Sequence, residues 1–160
     1  MSNDKTKANE STNPLDFVPD EIPFDLPYGP PISLARAQAV IHAAVAEATR
    51  RNWKMNVAVA DSGGNLVAFA RMDSAMLASI QIAEHKARAA ATFRRPTLSF
   101  EERVGAGGVG VTLLTLDSII ASPGGNPIIV GGKLIGAIGV SGGTGAQDNQ
   151  VSLAGVAAVK

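Results

Sequence analysis

Glycine spacing near the C-terminus constrains the fold more than any other feature of this 160-residue chain. Residues 123–143 read PGGNPIIVGGKLIGAIGVSGG, in which two short apolar segments flank a Gly-Gly pair. Two such segments around a glycine pair are typical of a β-hairpin. The Ser141-Gly142-Gly143 loop then leads into a predicted helix, and a loop of this kind presents backbone N–H groups that bind anions. We expect Gly142 or Gly143 to have a positive φ, which glycine adopts at little cost.

The rest of the chain alternates between helical and strand patterns. Apolar residues at helical spacing predict a first helix from Ser33, its N-cap, to about residue 51. Alternating residues over 53–60 and 66–71, joined by a glycine turn, predict a pair of strands. Because both strand pairs have short turns, the predicted fold class is α+β, a mainly antiparallel sheet covered by helices.

Three further elements complete the sequence-based prediction. A second helix is expected over 74–92, capped by Asp73 or Ser74 and buried along a stripe that begins at Met76. Residues 111–121 are apolar enough for an additional strand, and 146–159 should form the last helix. The pattern G-x-G-x-x-G at 105–110 lacks the preceding strand and the following acidic residue of a dinucleotide site, so we interpret it as a loop.

Composition excludes several functional classes. The formal net charge is zero, which gives no field for nucleic acid or an anionic membrane, and no run of 18 apolar residues predicts a membrane span. The chain has no cysteine, which removes disulfides and thiol chemistry. No N-terminal apolar segment resembles a secretory signal, so the expected location is cytoplasmic unless a signal lies upstream.

Residues 1–32 differ from the domain that we expect over 33–160. They hold six of the nine prolines and six acidic residues against two lysines, a pattern that excludes helix over 13–32 and predicts disorder over 1–12. Several apolar residues between 15 and 28 leave two interpretations open: a loosely attached tail, or an arm that clasps a neighbouring subunit.

The first helix is apolar on two faces. Its second face consists of small residues around Ala39, His42 and Ala43. A helix that is apolar on two faces is usually packed on both. We therefore expect a homo-oligomer, a dimer or larger, or another helix at this face.

Three stretches resemble one protein family. They are VAVADSGGNLVAFARMD at 57–73, IAEHKARAA at 82–90, and the glycine-rich run from 123 to 148. Together they resemble the GlcG/HbpS family, whose domain also forms the C-terminal part of PduO-type proteins. The resemblance covers nearly all of 33–159 and implies a helix-covered sheet, homo-oligomers and, for some members, haem binding or a link to haem degradation.

One departure from the family concerns haem. The resemblance implies a threonine at the iron in one haem-binding member, where this chain has Ala89, while Glu84 matches an acidic position of that member. Any haem must then use another axial group. His85 is the best-placed nitrogen on the same helix, because it lies one turn before Ala89 and residues four apart share a helix face.

The residues also suggest a site for an anionic ligand. If Arg71 and Lys86 converge on Ser141, Gly142 and Gly143, they would hold a carboxylate such as a haem propionate. One hypothesis is thus a small-ligand-binding protein that holds haem or another anionic planar ligand in an oligomer. The alternatives are an enzyme acting on a small organic acid, with His85, Arg71 or Asp148 as acid–base or anchoring groups, and a scaffold without chemistry of its own. No spacing of His, Asp and Glu indicates a protein-only metal site.

Overall fold

The computed structural model describes residues 18–159, and the structural statements below refer to that part of the chain. Its elements, in chain order, are α1 (Leu34–Arg50), β1 (Asn56–Asp61), β2 (Leu66–Arg71), α2 (Ser79–Thr92), α3 (Leu98–Gly105), one 3₁₀ helix (Gly108–Thr115), β3 (Gly125–Val130), β4 (Lys133–Ser141) and α4 (Gly145–Val156).

The four strands form one antiparallel sheet in the order β2-β1-β4-β3. Helices α1 and α4 pack together over one face, where Val57 and Val59 of β1 enter the main core. Helix α2 covers the other face, where Ala58 and Ala60 of the same strand meet it. The predicted α+β class with a mainly antiparallel, helix-covered sheet is therefore confirmed.

Small side chains let α2 lie very close to the sheet. Ala83 and Ala87 of α2 are fully buried against β1 and β4. At Gly139 of β4, an added Cβ would collide with the backbone of Ala83 and Ala87. Because no side chain fits between helix and strand there, this face of the domain is assembled from alanine and glycine rather than from large apolar residues.

Side-chain caps define the starts of two helices, and the cap at Ser33 confirms the sequence prediction. The Ser33 hydroxyl accepts a hydrogen bond from the Arg36 N–H at 3.3 Å and caps α1. Thr144 caps α4 in the same way through the Gln147 N–H, and the Gln147 side chain bonds back to the Thr144 N–H. This reciprocal capping box fixes the direction in which the chain leaves the glycine loop.

The predicted start of the second helix is wrong. Helix α2 begins at Ser79, and its N-cap position is Ala78, so neither Asp73 nor Ser74 caps it. Ser74 has a φ of 62°, a left-handed conformation that interrupts a helix. Met76, which we placed on the buried stripe, is consequently 58% exposed.

The strand predicted within 111–121 is also wrong. Residues 111–115 belong to the 3₁₀ helix, which begins at Gly108, and both Gly107 and Gly108 have a positive φ. Its apolar side chains stay largely exposed, because the segment does not pair with any strand of the sheet. An apolar segment forms a strand only where the edge of a neighbouring strand is free to pair with it. The local sequence does not show whether such an edge is available.

The N-terminal arm continues the sheet on its own chain. Leu134 of β4 donates to the Pro27 carbonyl at 2.9 Å and accepts from Gly29 at 2.7 Å, while Ile32 donates to Ile135 at 2.8 Å. These bonds lie beyond the end of β1, whose last residue, Asp61, pairs with Gly136 of β4. Ile32 joins the main core, and no helix forms over 18–32. The arm residues predicted to be disordered, 1–12, lie outside the described residues.

Removing residues 1–32 should therefore destabilise the domain. The truncation loses the buried Ile32 side chain and the backbone bonds to β4. A loss of about 3 kcal/mol or more in the free energy of unfolding is expected from these two terms. Thermal and urea unfolding measure it, with a chain lacking only 1–12 as the matched control, which composition predicts to be neutral. Equal stability of both truncations would show that the arm contributes nothing.

Candidate functional site

The predicted anion site contains a buried ion pair. The side chain of Lys86 in α2 is almost completely buried, with 1% of it exposed. Its ammonium is 2.8 Å from Oδ2 of Asp148, in the first turn of α4, and donates to the Val140 carbonyl at 3.1 Å. Asp148 is equally buried. Two of the three N–H donors of the Lys86 ammonium therefore bond to groups of the protein itself.

The glycine loop closes over the same carboxylate. The N–H of Gly143 donates to Oδ1 of Asp148 at 3.0 Å. Gly142 has a φ of 155°, which confirms the expected positive φ, and an added Cβ there would collide with the Lys54 carbonyl. The loop therefore does bind an anion through its backbone, and that anion is the chain's own Asp148.

Two opposing effects act on Asp148. Burial raises the pKa of its carboxyl, while the ion pair with Lys86 and the N–H groups of Gly143 and Gly142 lower it. Burial is the larger effect. Burial removes the Asp148 carboxylate from its hydrating water. The hydrogen bond and charge of the Lys86 ammonium are the main interactions that offset this loss of hydration.

A shallow cavity of about 400 Å³ lies outside this loop. Gly142 and Gly143 form one side, and the other sides include Trp53, Lys54 and Met76. The cavity combines an aromatic ring, a thioether and an exposed ammonium. It does not reach Lys86, which is fully covered.

The structure does not bring the remaining predicted residues to this loop. Arg71 lies on edge strand β2, with β1 between it and Ser141, and lines a different cavity with Lys54 and Asp73. His85 is exposed on α2 and Glu84 is half-buried beside it. The expected convergence of Arg71 and Lys86 on one carboxylate is therefore wrong, because Lys86 is already paired internally.

The acid–base set proposed for an enzyme is likewise not assembled. Asp148 is buried in its ion pair, Arg71 stands at the edge of the sheet, and His85 faces outward from α2. No hydrogen bond or ion pair joins any two of them within residues 18–159.

Sequence reasoning missed Asn56. It is fully buried at the start of β1, its amide donates to the Met76 carbonyl at 3.0 Å, and its Oδ1 has no hydrogen-bond partner among residues 18–159. Strand register places it beside Ser141 on the α2 face of the sheet. The signal available in the sequence was a polar residue inside an apolar strand, which alternation alone treats as solvent-facing.

Two other features bear on function. Among residues 18–159, no three His, Asp or Glu side chains converge to form a metal site. None of the helices in this described part has both the length and the apolar character required to cross a bilayer.

Comparison with known proteins places these features in context. Residues 32–157 match the family described as haem degrading protein HbpS-like. Protein GlcG of Escherichia coli is 43% identical over 110 residues, which span 69% of this chain and 81% of GlcG. A double mutant of Streptomyces reticuli HbpS superposes with a TM-score of 0.76 at 29% identity, covering 84% of this chain and 91% of that one. A PduOC:haem complex superposes with a TM-score of 0.74 at 27% identity, covering 81% and 96%.

The buried ion pair yields a prediction about stability. Lys86→Met should lower the free energy of unfolding at pH 7 by about 3–5 kcal/mol, because it leaves a buried carboxylate without its counter-charge. Asp148→Asn should also be destabilising, since it leaves the ammonium unpaired. The double variant should lose clearly less than the sum of the two single losses. Urea unfolding measures all three, with Lys133→Met, at an exposed position of β4, as the control.

The same variants should differ in their pH dependence. Without Lys86, burial dominates still more, so the pKa of Asp148 in the folded state lies further above its unfolded value. A carboxyl shifted this way contributes stability that is fully present below the unfolded pKa and is lost as pH rises through the folded pKa. The deficit of Lys86→Met should thus be small near pH 4 and grow toward pH 7. A deficit that does not depend on pH would mean that Lys86 acts through packing alone.

Proposed function

This chain belongs to the family of HbpS-like proteins, and we propose that it binds haem, or a closely similar planar anionic ligand, on the exposed side of α2. The observation that carries the proposal is the match of nearly the whole domain to a family described by haem degradation, together with the likeness to a haem complex. Haem binding is a property of the PduOC protein in that complex, and we extend it to this chain as a proposal.

The side chains on α2 determine how such a ligand would be held. Ala89 is fully buried, so position 89 offers neither a ligand atom nor access. His85, one turn earlier, is exposed, and a neutral imidazole nitrogen is a common axial ligand of haem iron. Arg88 is exposed beside it, and its Nε donates to the Gly64 carbonyl at 3.3 Å, the one hydrogen bond that its guanidinium forms among residues 18–159. Its terminal nitrogens remain available to a propionate.

These donors fit haem in part. An imidazole for the iron and a guanidinium for a propionate lie on one stretch of helix, outside the three cavities described in this article. Bound haem would supply an iron centre that this chain's own side chains do not provide. The contribution of the protein would be the axial nitrogen of His85 and the orientation imposed by Arg88.

Haemin titration tests the proposal with a matched pair of variants. The chain has two histidines, and both His42 and His85 are exposed on helices. His85→Ala should change the Soret band of bound haem and lower its affinity about tenfold or more, since it removes the axial ligand. His42→Ala should leave both unchanged. Absorbance titration of each variant at equal chain concentration provides the comparison.

Two results would contradict the proposal in different ways. If wild-type protein gives no saturable Soret shift at tens of micromolar haemin, haem binding itself is wrong. If the wild type binds one haem per chain and His85→Ala binds it with the same spectrum and affinity, the ligand is correct and His85 is not the axial residue.

We also propose that the protein is a homo-oligomer of at least two chains. Ala39 and His42 are exposed on α1 and Ala43 is half-buried, so the small-residue face has no cover within residues 18–159. Leu34 at the start of the same helix is 55% exposed. Light scattering after size exclusion should give at least twice the 16.4 kDa chain mass, and Ala39→Glu should lower it. A monomeric wild type at micromolar concentration would disprove the oligomer.

A further inference from the structure

A second cavity lies between the N-terminal arm, α3 and the 3₁₀ helix. Its volume is about 440 Å³, within the range of small-molecule sites, and it is more enclosed than the cavity beside the glycine loop. Ile22 and Phe24 of the arm, Leu113 of the 3₁₀ helix, and the guanidinium groups of Arg95 and Arg103 form its walls. None of these residues belongs to the α2 face proposed for haem.

Two cations face this cavity without a counter-charge in the described part of the chain. Among residues 18–159, Arg95 and Arg103 form no ion pair within 4.0 Å, whereas the neighbouring Arg94 lies 3.8 Å from Asp25. Burial lowers the pKa of Arg95, and the charges of Arg103 and Arg94 lower it further. The groups are close enough to repel each other, so an anion between them would relieve that repulsion.

Arg95 is held in a fixed orientation. Its guanidinium lies 3.6 Å from the centroid of the Phe24 ring and within 5.6 Å of that of Phe100. Its Nε donates to the Phe93 carbonyl at 3.1 Å, while its two terminal nitrogens form no hydrogen bond among the described residues. Stacking on a ring leaves the in-plane N–H groups of a guanidinium free to bind a carboxylate.

Apart from Ser99, whose hydroxyl donates to the Pro96 carbonyl at 2.8 Å, the rest of the cavity wall is apolar. Ile22, Pro23 and Leu113 line it, so a bound molecule would meet hydrocarbon on one side and guanidinium on the other. Such a division favours a ligand with a charged end and an apolar body. The size suits a small molecule better than a tetrapyrrole.

We propose that this cavity binds a small organic carboxylate with an apolar or aromatic body, which Arg95 and Arg103 hold by its carboxylate. The arm supplies part of the wall, so the site exists only while residues 22–24 are docked. The site is separate from the haem proposal, and neither depends on the other.

Calorimetric titration of the full chain with benzoate tests the site. We expect saturable binding at one benzoate per chain with a Kd of roughly 1 mM or tighter, as suits a ligand of this size. Benzamide has the same shape without the charge and should bind about tenfold more weakly or not at all. Arg103→Met should weaken benzoate binding about tenfold, because it removes charge-assisted hydrogen bonds.

Controls separate the site from general effects of charge and stability. Arg103 is exposed, so its replacement should leave thermal unfolding unchanged, and Arg103→Lys should retain part of the affinity. Arg36→Met, at an exposed position of α1, should bind benzoate like the wild type. The proposal is overturned if the wild type does not bind benzoate at a benzoate concentration 20-fold above that Kd. It is also overturned if benzamide binds as tightly as benzoate, or if Arg103→Met and Arg36→Met bind benzoate with the same affinity.

Discussion

The ion pair between Lys86 and Asp148 fixes how the two helical layers relate to the sheet. The residues are 62 positions apart and belong to helices on opposite faces. Lys86 also holds the Val140 carbonyl, and Asp148 also holds the Gly143 N–H, so both helices and the end of β4 meet at one point. Because either charge would be costly to bury alone, packings that separate them are disfavoured, whatever net stability the pair adds.

Local signals predicted much of the fold, and the failures have physical causes. The cap at Ser33 and the glycine hairpin depend on neighbouring residues, and both were predicted correctly. The start of α2 depended on the left-handed conformation of Ser74, which no helical pattern reveals. At the site, the glycine loop was predicted as an anion binder, but the identity of its anion required knowing that Asp148 folds back beneath it. The burial of Lys86 was equally inaccessible, since a lysine on a helix is normally read as solvent-exposed.

Basic side chains occur in three different settings in the described part of the protein. The positive charge of Lys86 is neutralised by a carboxylate of the same chain, and it serves the architecture. Arg95 and Arg103 face a cavity with no such partner in the described residues, and the exposed face of α2 carries His85 with Arg88. A charged group that is paired within the protein indicates a structural role. A charged group that faces a cavity, or solvent on a helix, indicates where ligand binding is worth testing.

The attachment of residues 27–32 to β4 also determines which end of the molecule can carry an N-terminal extension. The bonds fall at Leu134 and Ile135, beside the Gly131-Gly132 turn, while the Ser141–Gly143 loop lies at the far end of the same strand. At about 3.3 Å per residue, the two ends are ~25 Å apart. An affinity tag, a fluorophore or a fused partner that joins ahead of Leu26 would therefore enter the fold at the hairpin end. Fusions at this terminus suit immobilisation or labelling experiments in which the loop end must stay unobstructed.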